Sequence, residues 1–386
     1  MRVAFYAPLK SPTHPVPSGD RRMARLLMQA LGMAGHDVAL ACRLRTWDDG
    51  SRPGRAERLA ALGERCAAGL RHRWGRVDAA WRPDAWFTYH LYHKAPDVIG
   101  PAVSAALGIP YVVAEASFAP KRAAGPFAFG HRLAEAAIRR ADAIVTLASQ
   151  DAAGVLPLLD DPAKLVRLPP FLDAAPYVSA AAGRTSVRPV LARRFGLPEG
   201  EPWLLAVGMM RAGDKRASYA VLSRALERLL DRPWRLLVVG DGPAAVAVRA
   251  DMDRRIGGRV RWAGALAADE LAGVYAASDL MVWPAVNEAY GMALLEAQAA
   301  GCPVVAGRTG GVPDIVRDGV TGRLVPVGDD GAFAAAVAVL LDDPGKRVDC
   351  GRAAAAVTAA EHGIADAARR LDTVLTESAR RWKPIC

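Results

Sequence analysis

The residues best suited to chemistry lie late in the chain, in Asn287-Glu288-Ala289-Tyr290-Gly291-Met292-Ala293-Leu294-Leu295-Glu296. An apolar run ending at Trp283 predicts a strand, and Gly291 opens a predicted helix, Met292–Ala300. Glu288 falls in the loop between them, and Glu296 about one turn into the helix. Free N–H groups and the positive end of the helix dipole make such a turn attractive to anions. A carboxylate on each side suits a ligand with a central diphosphate and hydroxyls at both ends, Glu288 accepting from a sugar and Glu296 from a ribose. A second cluster, Gly208-Met209-Met210-Arg211-Ala212-Gly213-Asp214-Lys215, follows the predicted strand Trp203–Val207. Its glycines permit a close turn, and Arg211 and Lys215 bring two cations to the carboxyl end of that strand. Arginine offers a planar fork and lysine a compact charge, both matched to diphosphate oxygens.

The elements that position these residues alternate between short apolar runs and amphipathic segments of helical length, as in strand–helix units on a parallel sheet. In the first half Val3–Ala7, Asp37–Ala41, Ala85–Tyr89, Tyr111–Ala114 and Ala143–Leu147 read as strands. Arg21–Met33, Pro96–Leu107 and Gly130–Arg140 read as helices between them. Leu168-Pro169-Pro170 stops the pattern, since consecutive prolines continue neither a helix nor an inner strand. It resumes with strands at Trp203–Val207, Arg235–Val239, Val260–Trp262, Leu280–Trp283, Pro303–Ala306 and Gly322–Pro326. The intervening helices are Tyr219–Leu230, Ala244–Ile256, Ala268–Ala276, Met292–Ala300 and Gly331–Leu341, with Val187–Phe195 leading in. Ala353–Arg381 reads as one terminal helix. The expected domains are 1–173, 174–365 and a returning helix over 366–386. Ligands of such sheets bind beyond the carboxyl ends of the strands, so two of these domains can hold a substrate across a cleft.

The 386 residues suit two domains at roughly 150 residues each. With 52% hydrophobic and 23% charged residues, the chain has the composition of a globular protein. Its net charge of +10 is concentrated in the first half and favours anionic partners. Five scattered cysteines, Cys42, Cys66, Cys302, Cys350 and Cys386, form neither a disulfide framework nor a zinc motif. No signal peptide and no apolar run of about 20 residues is evident, so the expected location is cytoplasmic. Between Arg43 and Arg82 arginines outnumber acids, and Leu59, Leu62, Cys66, Leu70 and Trp74 form a helical stripe flanked by Arg55, Arg58, Arg65 and Arg73. That pattern reads as a sheet-covering helix with a basic outer face, or as a peripheral contact with anionic lipid. Asp251-Met252-Asp253 has the form of a metal-binding DxD but lies in a predicted helix beside Arg249, Arg254 and Arg255, which reads as a solvated face. No recognisable nucleic-acid module is present.

Taken together, these motifs resemble the family 4 retaining glycosyltransferases, which use nucleotide sugars and have the GT-B fold. Glu288 and Glu296 carry the family's Glu-x7-Glu signature. The surroundings match as well: Val239-Gly240-Asp241-Gly242-Pro243, Ala277-Ser278-Asp279-Leu280, Gly310-Gly311-Val312-Pro313-Asp314 and Asp318-Gly319-Val320-Thr321-Gly322. The first half matches more loosely, through Ala34-Gly35-His36-Asp37-Val38, Pro83-Asp84 and Leu107-Gly108-Ile109-Pro110. The resemblance implies an α/β protein of two Rossmann-like parallel-sheet domains facing across a cleft, with the last helix packing back on the first. It assigns Arg211 and Lys215 to the donor diphosphate, Glu288 to the sugar and Glu296 to the ribose. The backbone of Ala289, Tyr290, Gly291 and Met292 would contact phosphate and sugar, and the base would sit near Trp262. Gly19, in Pro17-Ser18-Gly19-Asp20, falls where the family brings a glycine to the diphosphate, although the usual second glycine is absent.

The family's sugar-facing histidine after the fifth strand of the first domain is also absent. Val112-Val113-Ala114-Glu115-Ala116-Ser117 stands there, leaving Glu115, Ser117, His90 or His93 to take its place. The implied reaction transfers a sugar from a UDP- or GDP-sugar to a glycan or lipid-linked acceptor with retention, as in polysaccharide biosynthesis. It uses no metal or other cofactor, because Arg211, Lys215 and the helix dipole would stabilise the leaving diphosphate. The other readings are a sugar-nucleotide epimerase of the same fold and a non-catalytic sugar-nucleotide-binding protein.

Overall fold

A computed structural model describes residues 1–16, 18–76 and 80–382. Cys386, Pro17 of the first loop and the end of the expected 366–386 segment lie outside the described residues. The chain divides into two units, one comprising Met1–Pro169 with Ile364–Cys386 and the other Pro170–Gly363.

In the first unit β1 (Arg2–Tyr6), α1 (Gly19–Met33), β2 (Asp37–Cys42), α2 (Arg55–Gly75), β3 (Ala85–Leu91) and α3 (Gly100–Leu107) come first. They are followed by β4 (Tyr111–Ala116), α4 (Ala128–Arg140), β5 (Ala143–Thr146), α5 (Ser149–Val155) and β6 (Leu165–Arg167). The strands form one parallel sheet in the order β2-β1-β3-β4-β5-β6. Its strands read as continuous apolar runs because both faces are covered: β3, β4 and β5 are buried almost throughout.

The second unit begins with α6 (Ala175–Ala182) and α7 (Arg184–Phe195). It continues through β7 (Trp203–Val207), α8 (Asp214–Glu227), β8 (Arg235–Val239), α9 (Ala245–Ile256), β9 (Val260–Gly264) and α10 (Ala268–Ala277). Then come β10 (Leu280–Trp283), α11 (Met292–Ala299), β11 (Val304–Gly307), β12 (Gly322–Val325), α12 (Asp330–Asp342) and α13 (Pro344–Glu361). Its parallel sheet runs β12-β11-β10-β7-β8-β9.

Three aspartates fix the strand ends away from the carboxyl termini. Asp84, Asp142 and Asp279 each precede a strand, and each carboxylate accepts the first N–H of the neighbouring strand, from Arg2, Tyr111 and Trp203, at 2.7–2.8 Å. The backbone N–H of each aspartate returns a bond to the carbonyl of the same residue. Arg184 and Arg188 of α7 clamp Asp279 further. Pro83-Asp84 and Ser278-Asp279 are thus structural motifs that set strand register.

The sequence expectations need five corrections. A sixth strand, β6, precedes the prolines; three residues at a sheet edge stop before the first missing N–H. The helix expected from Pro96 starts at Gly100, because the buried Asp97 carboxylate accepts from Ile99 and Gly100 N–H and holds residues 96–99 outside the helix. The helix expected from Tyr219 starts at Asp214, which places Lys215 in its first turn rather than in a loop. The buried stripe of α2 is Ala60, Gly63, Ala67, Leu70 and Trp74, while Leu62 is exposed. Gly63 faces inward because a Cβ there would lie 2.0 Å from the Val98 side chain.

Finally, the expected terminal helix is two helices, α13 and α14 (Ile364–Arg381), broken at His362-Gly363. Buried His362 donates from Nδ1 to Pro170 O at 2.6 Å, and its carbonyl accepts from Leu172 N–H at 3.0 Å. Those bonds turn the chain, and α14 packs its apolar stripe, including Leu371 and Leu375, on α1 and β4 of the first unit.

Candidate functional site

In the second unit the candidate residues gather at the carboxyl ends of β7 and β10. Lys215 Nζ forms an ion pair with Glu288 Oε2. The same oxygen accepts from Trp283 Nε1 at 3.1 Å, and Lys215 Nζ lies 5.3 Å from the centre of the Trp283 ring. Both members of the pair keep a fifth or less of their side-chain surface open, at 20% and 16%, so solvent screens them less than a surface pair. Trp283 is itself fixed edge-on by Tyr219, whose hydroxyl donates to Gly208 O at 2.7 Å.

The loop carrying Glu288 is strained and pinned. Ala285 and Asn287 both have positive φ, an uncommon conformation for non-glycine residues and frequent at functional sites. Val286 N–H donates to Ser218 Oγ at 3.0 Å, and Asn287 Nδ2 to Asp214 Oδ2 at 2.9 Å, tying the loop to α8. From the other side Gly310, at φ +52°, lies so close that a Cβ would sit 2.0 Å from Glu288 O. Gly311 N–H donates to Ala289 O at 2.6 Å. This contact explains the Gly310-Gly311 pair: only glycine lets the β11 loop brace the Glu288 backbone.

Gly291 caps α11 in the left-handed conformation and offers no side chain to its first turn, so the anion-attracting N–H end is not occupied by a cap. Tyr290 and Met292 beside it are buried. Glu296 is only 3% exposed and accepts from the Tyr275 hydroxyl at 2.9 Å. Arg211 stands exposed at the end of the β7 loop, with no side-chain partner among the described residues. That loop lies backbone to backbone on the β8 loop: Met210 N–H donates to Asp241 O at 2.9 Å, and a Cβ at Gly240 would meet Gly208 O at 1.9 Å. Trp262 is engaged by α9, under the Arg249 guanidinium and 3.4 Å from Asp253 Oδ1. Asp251 is bound by Ser223 Oγ and by Arg254 and Arg255, so the DxD carboxylates serve helix packing and surface pairing.

The first unit gathers a second group at the carboxyl end of its sheet. His90 and Glu115 face each other across β3 and β4, between the pairs Tyr89–Ala114 and Leu91–Ala116, and both adopt left-handed backbone, φ 63° and 61°. His90 Nδ1 lies 3.2 Å from Asp20 Oδ1 and 3.6 Å from Glu115 Oε1. Ser117 Oγ donates to Asp151 Oδ1 at 2.7 Å. Burial alone would lower the His90 value, but the charges of Glu115, Asp20 and Asp151 prevail and raise it to about 9. Burial likewise opposes ionisation of Asp20, yet its bond to His90 holds it below the usual carboxylate range. Gly19, the first residue of α1, has nothing within 4 Å of a notional Cβ, so no packing inside the protein demands glycine there.

His93 does not join this group. Its ring packs on Phe127 at 5.1 Å, and burial with Arg122 and Lys94 nearby lowers it to about 4. Sequence reasoning missed Trp283, Tyr275 and Asp151 as site residues, and gave Asp20 no role. The two aromatics read as core and the two acids as helix-start residues, so only topology reveals them.

The architecture also appears in solved structures. A glycosyltransferase from Rickettsia africae superposes with a TM-score of 0.74 at 14% identity, over 98% of each chain. Anabaena HepE, solved in complex with UDP and glucose, superposes at 0.71 with 16% identity, over 97% of this chain and 99% of its own. These likenesses define a GT-B fold. Residues 201–343 match the family described as glycosyl transferases group 1. A D-inositol 3-phosphate glycosyltransferase of Kineococcus radiotolerans is 37% identical over 214 residues, 50% of this chain and 48% of its own. The Thermobispora bispora protein of the same name is 37% identical over 217 residues, 53% and 50%. The chain spans about half the length of these relatives. Residues 201–343 thus carry a glycosyl transferases group 1 domain, in a chain with the GT-B fold.

Gly310→Ala tests the bracing of the Glu288 loop. The added Cβ must push the Glu288 carbonyl away, and nucleoside-diphosphate affinity is expected to fall at least about tenfold (~1.4 kcal/mol) in a chain that stays folded. Calorimetric titration beside a circular-dichroism melt reads both quantities; unchanged affinity would show that the contact does not position the site.

Proposed function

We propose that the chain is a retaining glycosyltransferase that moves a sugar from a UDP- or GDP-sugar to a glycan or lipid-linked acceptor without a metal ion. The observation that carries this reading is the Lys215–Glu288–Trp283 arrangement beside the open N-terminus of α11, with buried Glu296 one turn further along. In this reading Arg211, Lys215 and the α11 N-terminus are the positive groups that meet the diphosphate. The D-inositol 3-phosphate glycosyltransferase relatives and the UDP and glucose bound to Anabaena HepE support a nucleotide-sugar donor.

In the proposed reaction the bond from the anomeric carbon to the phosphate oxygen breaks as the acceptor oxygen attacks from the same face. The acceptor proton passes to the departing phosphate oxygen. Arg211, Lys215 and the α11 N-terminus stabilise charge that grows on the diphosphate, the role a metal ion fills in other enzymes. Glu288 accepts from sugar hydroxyls and Glu296 from the ribose.

A lipid-linked acceptor places the protein at a membrane surface in polysaccharide biosynthesis. No helix of the described residues is long and apolar enough to cross a membrane. The outer face of α2 nevertheless exposes Arg58, Arg65, Arg71 and Arg73 beside Leu62, a pattern suited to anionic headgroups.

Release of nucleoside diphosphate from a panel of UDP- and GDP-sugars, with membrane extract as acceptor source, tests the reaction. One donor is expected to be turned over, and Glu288→Ala or Lys215→Ala should each cost about 10²-fold or more. Turnover indifferent to both substitutions would contradict the assignment. For the membrane contact, co-sedimentation with phosphatidylglycerol vesicles is expected and should weaken in Arg58→Glu/Arg65→Glu. Equal pelleting with neutral vesicles would refute it.

A further inference from the structure

Glu296 stands in an unusual place for a carboxylate. All but one residue of α11 is buried, and Glu296 is buried with them. A carboxylate withdrawn from water is costly unless hydrogen-bond donors meet it. One donor is the Tyr275 hydroxyl, which reaches Glu296 Oε2 at 2.9 Å.

Tyr275 is itself fixed from several sides. It lies in the last turn of α10 with no exposed surface, and its ring packs on Tyr177 of α6, the centres 6.1 Å apart. The last carbonyls of a helix lack partners within it and attract cations. Here Arg184 donates to Ala276 O and to Ser278 O, the latter at 2.8 Å, and Arg188 donates to Ala277 O. Both arginines also pair with Asp279, just before β10. So α6 and α7, which precede the sheet in the chain, hold the end of α10 and with it the hydroxyl that meets Glu296.

We infer that Tyr275 is a positioning residue for ribose recognition: its hydroxyl holds the Glu296 carboxylate in the orientation that accepts from both neighbouring hydroxyls of a ribonucleoside diphosphate. A carboxylate offers about four lone-pair positions, so a tyrosine on Oε2 does not exhaust it. Two adjacent hydroxyls need two acceptor positions at a set angle, and a freely turning carboxylate presents them only part of the time. Fixing the group before the ligand arrives removes that ordering cost from binding. The consequence is selection of ribose over deoxyribose, because a site built to bond a hydroxyl rejects the analogue that lacks it. That a nucleoside diphosphate meets Glu296 rests on the glycosyltransferase reading; the Tyr275–Glu296 bond and its anchoring do not.

The test is calorimetric titration of the full chain with UDP and GDP, and with the 2′,3′-dideoxy form of whichever binds. Wild type should prefer the ribose form by about tenfold or more. Tyr275→Phe keeps the ring on Tyr177 and removes only the hydroxyl. It should lower affinity for the ribose form about tenfold and leave that for the dideoxy form within about twofold. With a donor that is turned over, KM should rise while kcat stays, because the ribose bond is alike in ground and transition states. A tyrosine with a purely structural role would weaken both ligands together.

If Tyr275→Phe does not fold, Glu296→Ala is compared with Glu296→Ala/Tyr275→Phe, in which no carboxylate is left without its donor. The two should bind the ribose form within about twofold of each other; a further loss in the double variant overturns the inference. So does a Tyr275→Phe variant that keeps the wild-type preference for ribose, or one that loses affinity for both forms alike. The expected binding pattern without turnover of any sugar donor would sink the glycosyltransferase reading and leave the ribose role of Tyr275 standing. Turnover with no ribose preference would do the reverse, and a chain that binds no nucleoside diphosphate would overturn both.

Discussion

The donor-side arrangement depends on one ion pair, Lys215 with Glu288, held against the edge of Trp283. An ammonium and a carboxylate that are both largely withdrawn from water need each other, because either alone would face a desolvation cost of several kcal/mol. The fold therefore has to deliver them from two separate strand–helix units to one point. β7 and α8 bring the lysine, and β10 and α11 bring the glutamate, on neighbouring strands of the sheet. Gly310, Ser218 and Asp214 then fix the glutamate's loop to within hydrogen-bond distance.

A pair of this kind also stores a lysine. In the proposed reaction the incoming diphosphate competes with Glu288 for Lys215, while Glu288 turns to sugar hydroxyls. A ligand carrying both groups satisfies both partners, and a diphosphate alone must separate them without compensation. Such an exchange favours the intact donor over the spent nucleotide.

Much of this was legible in the amino-acid order. Buried parallel strands read as continuous apolar runs, so eleven of the twelve strands among the described residues could be located, and Glu288, Glu296, Arg211 and Lys215 stood out by type and spacing. The three-residue β6 carries too little pattern to be seen. The break at His362-Gly363 was hidden because it is set by hydrogen bonds to Pro170 and Leu172, about 190 residues earlier in the chain. Asp20 and Asp151 look like ordinary helix-start acids, while His90 and Glu115 stood among four candidates for the family's sugar-facing histidine. Only the sheet order, which sets β3 beside β4, shows that they converge. Ser278-Asp279 and Pro83-Asp84 matched the family's surroundings in sequence and are register clamps in the fold.

The exchange of Lys215 between carboxylate and diphosphate is the centre of the account, and calorimetric titration of the free nucleoside diphosphate tests it most directly. Glu288→Gln keeps an acceptor for Trp283 but releases the lysine, so its affinity for the diphosphate should rise above wild type, while Lys215→Ala should lose about tenfold or more. A loss in Glu288→Gln equal to that in Lys215→Ala, or no change in either, would contradict it.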